Sequence, residues 1–222
     1  MKMTSNGGLA IFDTFKTGTN LTGEAGRQRS IIAILAGKTG PAERTRTGIA
    51  KKMAGEQKTP WKNIYSGIFR DMDEILLPMG IVEENGRLAL KRGPKALQEK
   101  GIPYYHLTRK GMVAALAIPE TENRAELLAD FFADAEPEEK EHEGVLTDLA
   151  EACPGFTYLI FETYVKAFCE GQIDELVPFD PAKISGIHDE FLRIQREMLE
   201  GFLSLPKQDR DKAVKFLKMI TG

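Results

Sequence analysis

The chain has 222 residues and a mass of 24.7 kDa, enough to bury a core without disulfide or metal support. With 42% hydrophobic and 28% charged residues it has the composition of a globular protein, which excludes collagen-like, mucin-like and low-complexity chains. The net charge of −3 hides a division: residues 27–118 hold 17 Lys/Arg against 8 Asp/Glu, net +9, whereas residues 119–222 hold 11 against 23, net −12. A charge of +9 concentrated in under half the chain is the footprint of a polyanion binder. The acidic half projects away from such a partner.

The uncharged stretch Ala152 to Phe161 is about ten residues long, half of what a spanning helix needs, so no membrane partner is expected. The apolar run Leu9 to Phe12 is too short for a secretory leader, and a cytoplasmic location is expected. Residues 1–26, rich in glycine, are expected as a flexible arm whose Ile11, Phe12 and Phe15 form a small docking patch. From Arg27, the apolar face Ile31, Ile32, Ile34 and Leu35 predicts a first helix that stops at Gly37. Thr47 is placed to cap a short second helix, closed by Gly55. Thr59 then caps a third, with Pro60 at its first position and a run to about Leu77.

In this third helix Ile64, Ile68, Met72, Ile75 and Met79 recur three and four apart and face the core, which leaves Lys62, Asn63, Ser66, Gly67 and Arg70 outward. Beyond Gly80, Asn85-Gly86 separates two short apolar-polar runs as a hairpin turn would. Gly93-Pro94 is the other candidate for the hairpin tip. Tyr104 to Leu107 predicts a third strand, and Thr108 caps a helix to about Ile118. Pro119 marks the expected domain boundary, after which helices are predicted over 123–135, 138–152, 156–170, 188–205 and 207–220.

Three helices, a hairpin and a strand, with Gly80-Ile81-Val82-Glu83-Glu84 after the third helix and Tyr105-His106-Leu107-Thr108-Arg109-Lys110-Gly111 further on, resemble the winged helix-turn-helix family over residues 27–118. The resemblance implies a mostly α fold with a small β-wing, followed by an acidic all-helical domain over 119–222. It implies duplex DNA as partner and transcriptional regulation as function, with the helix over about 60–77 in the major groove. Asn63 and Arg70 suit base edges, Ser66 lies beside them, and Lys62 suits a phosphate. Lys51, Lys52, Lys58 and Thr59 flank the turn, and Arg87, Lys91, Arg92 and Lys95 give a basic wing. Trp61 and Tyr65 fit either that surface or packing between helices.

Other chemistry finds little footing. Gly37-Lys38-Thr39 lacks the earlier glycine of a phosphate loop, because Ile32 stands there. His142 lies in a charge run of a solvated helix face, and Cys153 and Cys169 suit buried small hydrophobes. No catalytic arrangement, metal site or cofactor fingerprint emerges, so a non-enzyme is expected. The C-terminal helix carrying Phe191, Leu192, Ile194, Met198, Leu199, Phe202 and Leu203 fits a homodimer interface or an intrachain bundle. The acidic domain would serve dimerisation, an effector or a protein partner, or dock on the basic half as a clamp. A winged-helix interaction module within a larger complex is the alternative to DNA binding.

Overall fold

In the computed structural model, which describes residues 8–16, 19–57, 61–89, 101–187 and 190–221, the chain is mostly helical with one two-stranded antiparallel sheet. No helix among the described residues is long and apolar enough to cross a membrane. Helix α1 (Gly23–Ala36) starts before the expected Arg27 because Thr22 caps it, accepting the Ala25 N–H at 3.1 Å. Ahead of it, residues 9–11 of the segment expected as a flexible arm are anchored instead. Leu9, Ala10 and Ile11 are buried, Gln28 Oε1 accepts the Ala10 N–H at 2.8 Å, and Arg29 Nε donates to the Ile11 carbonyl at 2.5 Å. Phe12 lies 5.3 Å from both the Arg29 and the Lys166 cations.

Helix α2 (Arg46–Gln57) is capped by Thr45 rather than Thr47, for Thr45 Oγ1 accepts the Gly48 N–H at 3.0 Å, and the helix runs on through Gly55. Helix α3 (Trp61–Arg70) continues into a π-helical turn over Asp71–Leu76, with the Leu77 N–H bonding back five residues to the Met72 carbonyl at 3.0 Å. The wider turn changes the phase of the apolar face. Leu76, not Ile75, joins Ile68 and Met72 in the core.

Two ion pairs fasten this segment. Arg27 reaches the fully buried Asp71 through Nε at 2.8 Å and a second nitrogen at 3.3 Å, and Arg46 pairs with Asp73 while its guanidinium lies 4.7 Å from the Phe69 ring and 5.1 Å from that of Tyr105. Gly67 makes room for the first pair: a Cβ there would stand 2.7 Å from Arg27 Nε.

Strands β1 (Val82–Leu88) and β2 (Ile102–Leu107) pair from Val82↔Leu107 to Leu88↔Ile102. Asn85-Gly86 is therefore inside one strand and not at a hairpin tip. The register slips between Glu84 and Gly86, where Gly86 takes φ +134° and its missing Cβ leaves space for the Tyr104 hydroxyl, 2.8 Å from where that atom would lie. The other expected tip, Gly93-Pro94, is outside the described residues.

Helix α4 (Arg109–Leu116) starts at Thr108, whose hydroxyl accepts the Gly111 N–H at 3.2 Å and donates to the Gly80 carbonyl at 2.5 Å. It lies against α1, against α5 (Arg124–Ala133) and against α8 (Pro154–Cys169). Between these come α6 (Pro137–Lys140) and α7 (Glu143–Ala152), expected as one helix from Glu138. Glu139 turns inward at the break, accepting the Phe179 N–H at 2.6 Å, Arg109 at 2.8 Å and the Glu136 N–H at 3.2 Å. Phe179 packs there with Phe131, Phe161 and Tyr164 at ring separations of 4.8 to 6.3 Å.

One compact unit accordingly spans residues 1–185, across the boundary expected at Pro119, and a second begins at Gly186. The acidic charge belongs to the first: residues 119–185 hold 4 Lys/Arg and 17 Asp/Glu, net −13, and residues 186–222 hold 7 and 6, net +1. The second unit carries α9 (Glu190–Ser204) and α10 (Lys207–Thr221). Arg210 holds the bend between them, donating to the Leu205 carbonyl at 2.8 Å and to that of Leu203. The two helices do not pair along their lengths.

Candidate nucleic-acid interface

Lys62, Ser66 and Arg70 recur every four residues on α3, and all three are exposed, while Ile68 on the opposite side is fully buried. Asn63 lies within α3, but its side chain, like that of Trp61, is outside the described residues, as are Lys58, Thr59, Lys91, Arg92 and Lys95 altogether. Tyr65 takes the packing role, its ring edge-on to Phe69 at 4.8 Å and its hydroxyl 3.5 Å from that of Thr47 on α2.

The basic residues divide by what they touch. Arg27, Arg29, Lys38, Arg46, Arg109 and Lys110 all meet carboxylates. Arg87, expected to grip DNA from the wing, is held by Glu84 through bonds of 2.6 and 2.9 Å. Arg70 lies 3.8 Å from both Glu24 and Asp71. Lys51, Lys52 and Lys62 are exposed, and among the described residues no carboxylate comes within ion-pairing distance of them. Five cations of residues 27–118, Arg29, Lys38, Arg70, Arg109 and Lys110, meet carboxylates outside that stretch and offset its +9 in part, and among its described residues the basic side chains that meet no carboxylate are Lys51, Lys52 and Lys62 on α2 and α3 and Arg44, which bonds to Thr39 and the Gly37 carbonyl.

Two clefts border these helices. One, of about 570 Å³, is lined by Thr45, Thr47, Gly48, Lys51 and Lys52 of the α2 end and by Leu88 and Ile102 of the sheet. The other, of about 410 Å³, is lined by Arg27, Ile64, Ser66, Gly67 and Arg70. The α2 lysines and the α3 side chains therefore line separate depressions. Burial pushes the Tyr105 hydroxyl above its ordinary pKa, with Arg46 opposing and Asp73 adding to the rise.

Gly67 and Arg27 carry a role the sequence conceals. The spacing leaves Gly67 on the outward face of α3, but Arg27 occupies that side on its way to Asp71. No local signal links them, because the partners are 44 residues apart. The stretch around His142 is likewise not all solvated, since Glu139 is buried in it. Its carboxyl is pushed up by burial and pulled down further by the Phe179 N–H, Arg109 and the Glu136 N–H, so it stays below the usual carboxylate range. Cys153 and Cys169 are half-buried and unpaired, and burial drives the Cys169 thiol up to about 12. Among the described residues no group of three or more His, Cys, Asp and Glu could hold a metal ion. No protein-family model matches the chain, and no curated protein or solved structure matches it at a significant level.

Proposed function

We propose that this chain binds duplex DNA as a sequence-specific transcriptional regulator, through a winged helix-turn-helix arrangement of α1, α2, α3 and the β1–β2 sheet. The observation that carries the reading is the lysine set Lys51, Lys52 and Lys62, which meets no carboxylate among the described residues and is placed on the two helices that precede a two-stranded sheet. Unpaired exposed ammonium groups release phosphate counterions on binding at no cost in broken ion pairs. In this reading α3 enters the major groove with Lys62, Ser66 and Arg70 outward, and Lys51 and Lys52 hold the backbone.

The test is fluorescence anisotropy of a labelled mixed-sequence duplex titrated with the full chain at several salt concentrations. Each phosphate contact contributes about −0.9 to the slope of log affinity against log salt, so the K51E/K52E/K62E variant should bind weakly and flatten that slope by about 3. Unchanged binding by the variant would overturn the placement. A second reading, docking of a protein segment, draws on the apolar wall of the larger cleft, where Ile102 is 44% exposed beside Leu88. Salt-insensitive association and no duplex binding would select it.

A further inference from the structure

The C-terminal unit leaves large apolar side chains uncovered: Phe191 is 71% exposed, Met198 54% and Met219 72%. On α9 the apolar residues form two rows, Phe191, Ile194, Met198 and Phe202 on one side and Leu192, Leu199 and Leu203 on the other, with only Gln195 between them. Gln195 is a half-buried residue whose side chain makes no hydrogen bond among the described residues.

We infer that the apolar faces of α9 and α10 pair with those of a second copy of this chain, about a two-fold axis that brings Gln195 against Gln195 of the partner copy. Three observations favour a copy over any other occupant. The first is internal: Arg210 fixes the bend through the Leu203 and Leu205 carbonyls, so α10 does not fold back along α9 to cover it. The second is size. Ten large apolar side chains of the two helices are 37% to 72% exposed, and together they offer on the order of 900 Å², about what each partner of a standard interface buries. The third is chemical. The unit's charge of +1, from 7 basic and 6 acidic residues, favours neither a strongly charged partner nor repulsion between copies. A carboxamide is both donor and acceptor, so Gln195 satisfies itself across a two-fold axis, where an apolar partner would leave it unbonded. A single polar group in an apolar seam also sets register.

Sedimentation of the full chain without nucleic acid tests this independently of DNA binding. The expected result is a dimer, twice 24.7 kDa, that the exposed-face variant M198E/L199E dissociates by more than about 100-fold in Kd with an unchanged far-ultraviolet spectrum. A monomeric parent chain, or a dimer indifferent to M198E/L199E, overturns the inference; loss of thermal stability in a monomeric M198E/L199E would assign the face to the chain's own first unit. Q195E and Q195K place the axis: each alone should weaken the dimer, and an equal mixture should associate at least about tenfold more tightly than either. A mixture no tighter than its components rules out an axis at Gln195.

Discussion

Helices α3 and α9 carry the same kind of pattern, apolar residues three and four apart with polar ones opposite, and end in opposite circumstances. On α3 and its π-helical continuation Ile68, Met72 and Leu76 are fully buried, whereas on α9 Phe191, Ile194, Met198 and Leu203 stay exposed. The difference lies in the neighbours. Around α3 the chain brings α1 and α2 into contact and ties them down with Arg27–Asp71 and Arg46–Asp73. At α9 the one following helix is held at an angle by Arg210. Periodicity therefore identifies the face a helix will bury, and the fasteners around it decide whether the chain itself does the burying.

The comparison breaks most severely at Asp71. Asp71→Ala strands the Arg27 guanidinium next to Gly67 and empties a fully buried site, and the expected loss is about 3–5 kcal/mol in urea unfolding. A loss under about 1 kcal/mol would mean that apolar packing alone seats α3. Glu139→Gln comes next at about 2–3 kcal/mol, because a neutral amide replaces the carboxylate that accepts from Phe179, Arg109 and Glu136. Its pH dependence has a definite sign. The folded carboxyl titrates below its unfolded value, so its contribution is complete above the unfolded pKa of about 4.3 and drains away as pH falls through the folded value. The gap between parent and Glu139→Gln should close on acidification below about pH 4; a gap constant down to acid pH would show the charge to be irrelevant.

Gly67→Ala sharpens the comparison at α3 itself. A methyl 2.7 Å from Arg27 Nε displaces the flexible end of that side chain and loosens its bond to Asp71, for an expected cost of about 1–2 kcal/mol. Duplex affinity, if Gly67 serves only Arg27, should fall no further than this loss of stability explains. A stable Gly67→Ala with much weakened duplex binding would return Gly67 to the nucleic-acid surface.

These three sites also mark where the sequence is and is not legible. The order of helices, the Thr108 cap and the outward set Lys62, Ser66 and Arg70 follow from local rules, since caps and four-residue spacing act within a turn or two. The π-helical turn does not, because replacing Ile75 by Leu76 in the core needs only one carbonyl to choose a donor five residues on. Asn85-Gly86 has the composition of a tight turn, yet its glycine serves a bulge opposite Tyr104, a partner 18 residues further along. Ion pairing hid most. Counting charges along the chain overstated the free cations, since Arg87 and Lys110 are satisfied by Glu84 and Glu175.

The smallest expected effect lies at the bend of the second unit. Arg210→Ala leaves the Leu203 and Leu205 carbonyls without their guanidinium donor, but both lie at a helix end that water reaches. Unfolding of the first unit should change by less than about 0.5 kcal/mol, as for most surface substitutions. Hydrogen exchange read by mass spectrometry separates the regions: peptides over 201–212 should lose protection while those over α3 keep theirs. If Arg210 is what keeps α10 off α9, the freed helix closes on its neighbour, the apolar faces cover each other within one chain, and the variant sediments with a weaker tendency to dimerise than the parent chain. Should dimerisation stay unchanged while 201–212 loosens, the angle between α9 and α10 is set by Pro206 and by the helices' own preferences, and the contrast with α3 does not rest on the Arg210 side chain.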